Sequence, residues 1–210
     1  MPPADAPGFC KEICRFQRLK SGAVNAKTKR ILAFTIYWQL NSFPSIKGGN
    51  IMGLFGKKKA SDTDKLTDKL TGLKNRDYFH YTYGELGAVK SKDHKVMAVF
   101  DIDHFKAAND LINGDKAILK IVSIMKEEIG EKGELMRWGG DEFLAVLKMS
   151  PEESLEAMRR FVERVKDSTA VTVSVGLVRI RHEDTFKTNY YRAVQKCYLV
   201  KEMGGNDVKL

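Results

Sequence analysis

The chain has 210 residues, of which 43% are hydrophobic and 30% are charged, and this composition is typical of a soluble globular protein. The length allows one domain of ordinary size together with an appendage. The net charge is +9, but residues 1–51 carry 8 Lys or Arg against 2 Asp or Glu and hold most of that excess. Residues 52–210 are therefore not basic enough to predict nucleic-acid binding.

Cysteine content and hydropathy exclude further classes of protein. Cys10 and Cys14 have no matching His or Cys pair downstream, so a zinc site is not predicted. Together with Cys197 they are too few for a disulfide framework, and we expect a reducing, cytoplasmic location. Residues 31–40, the longest apolar stretch, are interrupted by polar residues and reach about half the length of a membrane span. No membrane span is therefore predicted.

Residues 1–51 show no sustained period of a helix or a strand, so no structure is predicted there. The run from Lys47 to Met52 can be encoded by a purine-rich stretch, a short spacer and ATG, as in a bacterial ribosome-binding site. We therefore predict that the natural start is Met52 and that residues 1–51 are an untranslated leader. The alternative is a genuine basic tail that contacts a membrane or a partner. A native peptide spanning residues 43–55, detected by mass spectrometry, would exclude the leader hypothesis.

The remaining chain alternates between helical and strand patterns. Residues 52–67 are rich in glycine and lysine and predict a linker with the start of one short helix. From there, in chain order, the patterns predict helix 65–69, helix 76–89, strand 96–100, helix 104–110, helix 116–129, strands 134–138 and 143–147, helix 151–166, strand 171–180, helix 188–203 and a short edge strand over 207–210. This order predicts an α+β fold, with an antiparallel-rich sheet flanked by helices, of the ferredoxin-like or nucleotidyl-cyclase kind.

Two glycines, Gly139 and Gly140, separate the two runs 134–138 and 143–147. This pattern predicts a β-hairpin with a tight turn, because glycine adopts the positive φ of such turns without steric cost. Asp141 and Glu142 would lie at the tip, where backbone without Cβ atoms lets phosphates approach closely. Adjacent carboxylates beside phosphates indicate a Mg²⁺ site. Taken alone, a Gly-Gly-Asp-Glu sequence is more often a solvated surface turn.

Acidic residues also follow the most apolar strand. Residues 96–100 form a continuous apolar run, which predicts a buried central strand, and Asp101 and Asp103 come at its end. Carboxylates at that place are a frequent ligand position in sheets flanked by helices. The structural alternative is that they cap a helix, a role that suits Asp103. Asp115 is predicted to cap the helix over 116–129 in the same way.

Five separated motifs, in this order, resemble the GGDEF domains, which are the diguanylate cyclases of bacteria. The resemblance covers about residues 68–210. The motifs are Asp68-Lys-Leu-Thr-Gly-Leu-Lys-Asn-Arg76, Phe100-Asp-Ile-Asp-His-Phe-Lys106 followed by Asn109-Asp110, Arg137-Trp-Gly-Gly-Asp-Glu-Phe143, Thr172-Val-Ser-Val-Gly176, and the set Tyr198, Lys201, Gly204 and Asn206.

The resemblance implies an activity. In this family two GTP-loaded domains meet as a transient homodimer, and the 3′-hydroxyl of each GTP attacks the α-phosphate of the other, which gives cyclic di-GMP and pyrophosphate. Phosphoryl transfer of this kind depends mainly on alignment and charge neutralisation. Two copies would have to be brought together by self-association or by an external sensory or activating protein.

The resemblance also implies a role for each matching position. The ligands of Mg²⁺ or Mn²⁺ would be Asp101, Asp141, Glu142 and the Ile102 carbonyl, and Glu142 is also a candidate to deprotonate the hydroxyl. The backbone of Gly139 and Gly140 would cradle the phosphates, and Lys106 and Lys201 would pair with the β- and γ-phosphates. Asn109 and Asp115 would contact the guanine edge.

Three departures from the family pattern change what is expected. The first is the loop between Asn109-Asp110 and Gly114-Asp115, which consists of only Leu111, Ile112 and Asn113 and is shorter than the family's. Base specificity and nucleotide affinity are therefore expected to differ from those of the family. Asn113 is a candidate guanine contact. Gly205 replaces the family's phosphate-binding arginine. Positions 130–133 lack the Arg-x-x-Asp of the product-inhibition site, so no inhibitory binding of cyclic di-GMP is predicted.

Three hypotheses follow for the function. The first is a metal-dependent diguanylate cyclase without a product-inhibition site. The second is a degenerate domain that binds GTP or a protein partner and regulates without catalysis, which the missing arginine and the short loop favour. The third is an α+β interaction module with an accidental motif, which five ordered motifs make improbable.

Overall fold

The structure, a computed structural model, describes residues 64–83, 89, 92–109 and 113–210. Its helices are α1 (Arg76–Tyr83), α2 (Phe105–Asn109), α3 (Gly114–Ile129), α4 (Pro151–Ser168) and α5 (Phe186–Glu202), and its strands are β1 (Val96–Ile102), β2 (Gly133–Arg137), β3 (Glu142–Leu147), β4 (Val173–Arg179) and β5 (Val208–Lys209). Short 3₁₀ helices cover Asp64–Leu66 and Gly130–Lys132. The predictions about the leader, the Met52 start and most of the 52–67 linker lie outside the described residues.

The five strands form one sheet in the order β2-β3-β1-β4-β5. All neighbouring pairs are antiparallel except β4 and β5, which are parallel. The first four strands, with α2–α3 and α4 as the crossovers, have the βαββαβ order of a ferredoxin-like fold. The predicted α+β architecture is therefore confirmed. The predicted strands and the helices after residue 100 are present with shifts at their ends, and the helix predicted over 76–89 is described as far as Tyr83. The short helix predicted over 65–69 is instead a single 3₁₀ turn over Asp64–Leu66.

The sheet is buried on both faces. Alternate residues of β1 and β3, such as Phe100 and Phe143, pack against α3 and α4 in the main hydrophobic core. The opposite face carries the other alternating set, including Met97 and Val99, and is covered by α5, which contacts both β1 and β4. Since side chains alternate along a strand, Asp101 extends the Met97–Val99 row and lies on the α5 face.

Side-chain caps fix the helix ends close to the predicted positions. Asn75 accepts a hydrogen bond from the backbone N–H of Tyr78 at the start of α1. Ser150 and Glu153 form a capping box at the start of α4. The prediction that Asp115 caps α3 is wrong, because Asn113 accepts the bond from the Lys116 N–H at 3.0 Å and Asp115 lies within the first turn. Its charge there still suits the positive end of the helix dipole.

The hairpin is present, but its turn is not the one predicted. β2 and β3 pair from Gly133 to Arg137, and a four-residue loop of Trp138, Gly139, Gly140 and Asp141 joins them. Neither loop glycine has a positive φ, so the predicted reason for two glycines is wrong. A Cβ on Gly139 would lie 3.0 Å from the Glu142 carboxylate, whereas a Cβ on Gly140 would meet nothing within 4 Å.

Gly176 sets how closely α5 approaches the sheet. A Cβ there would lie 2.1 Å from the Ala193 carbonyl oxygen and 2.3 Å from the Cys197 nitrogen. Because the helix backbone rests directly on β4, its last turn lies beside the end of β1. Cys197 is buried at this contact and donates from Sγ to the Ser174 carbonyl.

No helix of the described part of the chain is both long enough and apolar enough to cross a membrane.

Candidate active site

Asp101 and Glu142 are directly opposite each other across β1 and β3. β1 ends one residue later, at Ile102, and β3 begins at Glu142, so the two carboxylates occupy the same end of these strands, on the face that α5 covers. Asp141 is the next residue in the hairpin loop, and its carbonyl accepts a hydrogen bond from the Ile102 N–H at 3.2 Å. The structure thus brings together the four residues predicted as metal ligands.

Lys201, in the last turn of α5, lies against two of these residues. Its Nζ donates to Asp101 Oδ1 in a short ion pair and to the Ile102 carbonyl oxygen at 3.4 Å. The Lys201 side chain is 28% exposed and that of Asp101 is 15% exposed, so the pair is shielded from most of the solvent. The lysine predicted to bind phosphate is therefore engaged with the predicted metal ligands.

Asp101 and Glu142 have raised pKa values. Burial raises the pKa of Asp101 to about 6, the Lys201 ammonium opposes that rise, and the charges of Asp141 and Asp103 add to it. Burial also raises the pKa of Glu142 to about 8, reinforced by the charges of Asp101 and Asp141 and opposed by Lys201 and Arg76. Burial is the largest cause of both shifts, and the neighbouring carboxylates add to it.

Asp103 holds the C-terminal segment, and its contacts differ from the helix-capping alternative considered for it. Its carboxylate accepts hydrogen bonds from Thr172 Oγ1 at 2.7 Å, Ser174 Oγ at 2.6 Å and the Asn206 N–H at 2.9 Å. A Cβ on Gly205 would lie 2.8–3.0 Å from the same carboxylate. Gly205 has a φ of +73°, which also favours glycine. The position of the family's arginine is thus packed against Asp103 in this chain.

A second ion pair fixes the hairpin loop from outside. Arg137 Nε and Nη2 donate to the Gly140 carbonyl oxygen at 3.2 and 2.7 Å, and Nη1 contacts both oxygens of Asp68 at 3.1 and 3.3 Å. Asp68 also accepts from the Thr71 N–H and hydroxyl, at 2.9 and 2.6 Å. Arg137 therefore couples the turn before α1 to the loop that carries the two glycines and Asp141.

Trp138 anchors the other side of the loop. It is buried, and its ring packs against Phe79 of α1 and Tyr190 of α5, with centroids 4.8 and 4.9 Å apart. The guanidinium of Arg76 lies over the same ring, 5.4 Å from its centroid. Trp138 therefore packs the hairpin loop against α1 and α5.

In the described part of the chain, the other residues predicted to bind the nucleotide make no hydrogen bond or ion pair with the carboxylates of the site. Lys106 is exposed in α2, and Asp115 is exposed in the first turn of α3. Asn109 ends α2, and its side chain lies outside what the structure describes, as do residues 110–112 of the shortened loop. Asn113, the candidate guanine contact, already uses its side-chain oxygen to cap α3. The guanine-reading roles therefore remain predictions.

The donor set suits a hard divalent cation. Asp101, Asp141, Glu142 and the Ile102 carbonyl are all oxygen donors, which Mg²⁺ and Mn²⁺ prefer, and the three carboxylates lie within reach of one another's charge. Among the described residues, no three His, Cys, Asp or Glu side chains converge closely enough to hold an ion as they stand. Metal ligation by this set therefore remains a prediction.

Sequence reasoning missed three parts of this site. The first is the link between Asp68 and Arg137, although both belong to recognised motifs. The second is the set of hydroxyls, Thr172 and Ser174, that hold Asp103; their alternation on one strand was a usable signal. The third is Arg76, which no local pattern connects to Glu142.

Comparisons with known proteins agree with this site. A family model described as "Diguanylate cyclase, GGDEF domain" matches residues 65–207. Diguanylate cyclase DgcP of Pseudomonas aeruginosa is 31% identical over 156 residues, which cover 66% of this chain and 23% of DgcP. Diguanylate cyclase VdcA of Vibrio cholerae is 30% identical over 164 residues, which cover 69% of this chain and 47% of VdcA. The chain thus spans less than half the length of these relatives.

Solved structures show the same fold. The GGDEF domain of DgcB from Caulobacter crescentus, in complex with c-di-GMP, superposes with a TM-score of 0.62 at 24% identity, covering 74% of this chain and 98% of that domain. Diguanylate cyclase SiaD of Pseudomonas aeruginosa, in complex with its activator SiaC, gives a TM-score of 0.62 at 25% identity, covering 96% of this chain and 80% of SiaD. Since the family model spans well over half of the chain and the residues that give the family its name form the β2–β3 loop, the chain belongs to the GGDEF family.

Proposed function

We propose that the protein is a diguanylate cyclase that condenses two GTP molecules into cyclic di-GMP and releases two pyrophosphates. The observation that carries the proposal is the facing pair of partly buried carboxylates, Asp101 and Glu142, beside a glycine loop whose tip has open space around Gly140. Membership of a family whose similar members are named diguanylate cyclases supports it. No group in this site needs to form a covalent intermediate, because alignment and charge neutralisation suffice for phosphoryl transfer.

The chain's own residues divide the work as follows. Asp101, Asp141, Glu142 and the Ile102 carbonyl would hold Mg²⁺ or Mn²⁺, which when bound neutralises charge on the phosphates. The Gly139–Gly140 backbone would approach the phosphates. Glu142, which faces Asp101 at the same end of the sheet, is the candidate to accept the proton of a 3′-hydroxyl.

The other charged residues would bind and orient the nucleotide. Lys106 and Lys201 would pair with the β- and γ-phosphates, and Asn109 with Asp115 would contact guanine. Each copy supplies one GTP, so the reaction takes place between two active-site faces in a transient homodimer. An external activating protein is a candidate for bringing the copies together, since SiaD is described in complex with its activator SiaC.

The second candidate is a degenerate GGDEF domain that binds GTP or a protein partner without catalysis. Two observations favour it. Gly205 stands where the family has an arginine, and its contact with Asp103 leaves little room for a side chain. The Lys201 ammonium is also bonded to Asp101 and not free for a phosphate. Loss of one charged phosphate contact costs on the order of 1.5–3 kcal/mol if nothing compensates.

One experiment separates the two candidates. The full chain is incubated with GTP and Mg²⁺ or Mn²⁺ at high protein concentration, beside a variant with Asp141→Ala and Glu142→Ala, and the nucleotides are resolved by chromatography. Cyclic di-GMP from the parent alone supports the cyclase. GTP binding by calorimetry without product supports the regulatory domain. Neither product nor binding rejects both nucleotide functions and leaves an interaction role.

A further inference from the structure

Lys201 occupies a position that conflicts with the role the family gives it. Its ammonium is bonded to the Asp101 carboxylate and to the Ile102 carbonyl, two of the four groups expected to hold a divalent cation. A metal ion bound to the same two oxygens would meet a positive charge already in place. The ammonium and the metal ion therefore compete for these oxygens.

The geometry of α5 explains why the lysine reaches this point. The helix backbone rests on β4 at Gly176, so its last turn passes the end of the sheet where β1 ends and β3 begins. Lys201 is the residue that forms an ion pair with Asp101 in the described part of the chain. A substitution of Lys201 would remove this ion pair from a partly buried carboxylate.

We infer that Lys201 is a resident cation, which holds the divalent-cation position in the nucleotide-free protein and leaves it when phosphates offer the ammonium a new partner. The identity of those phosphates rests on the proposed function, but the competition between ammonium and metal does not. The lysine thus has two alternative partners, the Asp101–Ile102 oxygens and the nucleotide.

This arrangement couples metal binding to nucleotide binding. A metal ion alone must displace the ammonium into water, whereas a metal ion arriving with a nucleotide finds the ammonium already drawn to the phosphates. Coupling is reciprocal, so nucleotide raises metal affinity by the same factor as metal raises nucleotide affinity. The protein then binds metal tightly only when substrate is present.

The test measures Mn²⁺ binding without nucleotide, by loss of the electron paramagnetic resonance signal of free Mn²⁺, on the full chain. The variant is Lys201→Met, and the control is Lys196→Met, which removes an equal charge from the same helix where Nζ donates to the Leu210 carbonyl. About 0.5 M KCl shortens the Debye length to about 4 Å and suppresses long-range effects of the lost charge. We expect at least tenfold tighter Mn²⁺ binding in Lys201→Met and parent-like binding in Lys196→Met.

A second measurement adds a non-hydrolysable GTP analogue. The analogue should raise the Mn²⁺ affinity of the parent by at least tenfold and that of Lys201→Met by a few-fold at most. If Lys201→Met unfolds without metal, Lys201→Gln, which keeps a hydrogen-bond donor for Asp101, replaces it. Metal affinity in the Lys201 variants that is equal to or weaker than in the parent would overturn the inference.

The outcomes distinguish this inference from the proposed function. If Lys201→Met binds Mn²⁺ more tightly but the parent makes no cyclic di-GMP, the result supports the role of Lys201 as a resident cation and rejects the cyclase function. Cyclic di-GMP from the parent, with no gain of metal affinity in Lys201→Met, supports the cyclase and rejects the resident cation.

Discussion

Arg137 and Asp68 form an ion pair, 3.1 Å between Nη1 and Oδ1, that joins the turn before α1 to the hairpin loop of the site. The two residues are far apart in sequence, and both are largely shielded from solvent, with 13% and 24% of their side chains exposed. The same guanidinium holds the Gly140 carbonyl. This pair therefore positions the loop that carries the predicted phosphate cradle.

The first prediction concerns the strength of this pair. A double-mutant cycle with Asp68→Ala and Arg137→Ala should give a coupling energy of about 1–3 kcal/mol in urea unfolding, because the pair is charge-assisted and partly buried. The control is the cycle with Glu152→Ala and Arg179→Ala, whose side chains are 70% and 66% exposed. That pair should give about 0–1 kcal/mol. Equal coupling in the two cycles would show that Arg137–Asp68 is an ordinary surface contact.

Gly140→Ala should weaken GTP binding without changing the stability of the fold. A Cβ at Gly140 has no neighbour within 4 Å and the φ is not positive, so the free energy of unfolding should change by less than about 0.5 kcal/mol. If phosphates approach this backbone, the same methyl group should weaken GTP binding by at least tenfold, about 1.4 kcal/mol. Chemical denaturation and calorimetry measure the two effects. Unchanged GTP affinity would place the phosphates elsewhere.

Gly176→Ala should have the opposite profile, with a large loss of stability. The added methyl group would meet backbone atoms of α5 at 2.1 and 2.3 Å, so the helix must move away from β4. We expect a loss of about 3 kcal/mol or more, since backbone cannot rotate aside as a side chain can. Gly140→Ala is the matched control, because it adds the same group in open space. A loss below about 1 kcal/mol would mean that α5 is not held against the strand.

Gly205 should not accept the side chain that the family carries there. Gly205→Ala and Gly72→Ala both introduce a Cβ at similar positive φ, +73° and +68°, but only the Cβ at 205 meets the Asp103 carboxylate. Gly205→Ala should therefore lower the free energy of unfolding by about 1 kcal/mol more than Gly72→Ala. Gly205→Arg should not tighten GTP binding. A tenfold gain in affinity from the arginine would contradict this account.

Stability without metal should fall as pH rises. The pKa of Asp101 is raised to about 6 and that of Glu142 to about 8, so each contributes stability that is complete below its unfolded pKa and is lost as pH rises through the folded value. We expect the Tm of the metal-free protein to decline between about pH 5 and pH 9. Mg²⁺ should raise the Tm more at the upper end, because its carboxylate ligands are then ionised.

Differential scanning calorimetry at constant ionic strength measures this dependence. Glu142→Gln is the matched variant, since it keeps the shape of the side chain and removes its titration. Its Tm should decline less over the same range. Identical pH profiles for the parent and Glu142→Gln would mean that Glu142 is not the residue responsible.

Much of the fold could be predicted from the sequence, because the signals were local. The apolar run of β1 and the helical patterns of α3 and α4 each act through neighbours in the chain, and each element lies where it was expected with shifts at its ends. The recognised motifs also located Asp101, Asp141 and Glu142. Errors arose where two neighbouring residues could each fill the same local role. At the start of α3, the helix is capped by Asn113 and not by Asp115, the residue predicted for that role.

The sequence by itself determined the family, the α+β order of elements and the residues gathered at the hairpin. Only the tertiary structure decided what those residues contact: Lys201 with Asp101, Asp103 with Asn206, and Arg137 with Asp68. Each contact joins elements separated by a strand or more, and depends on which strands are neighbours and how closely α5 packs. Periodicity and composition carry no information about such distances, because they describe faces of single elements and not the register between them.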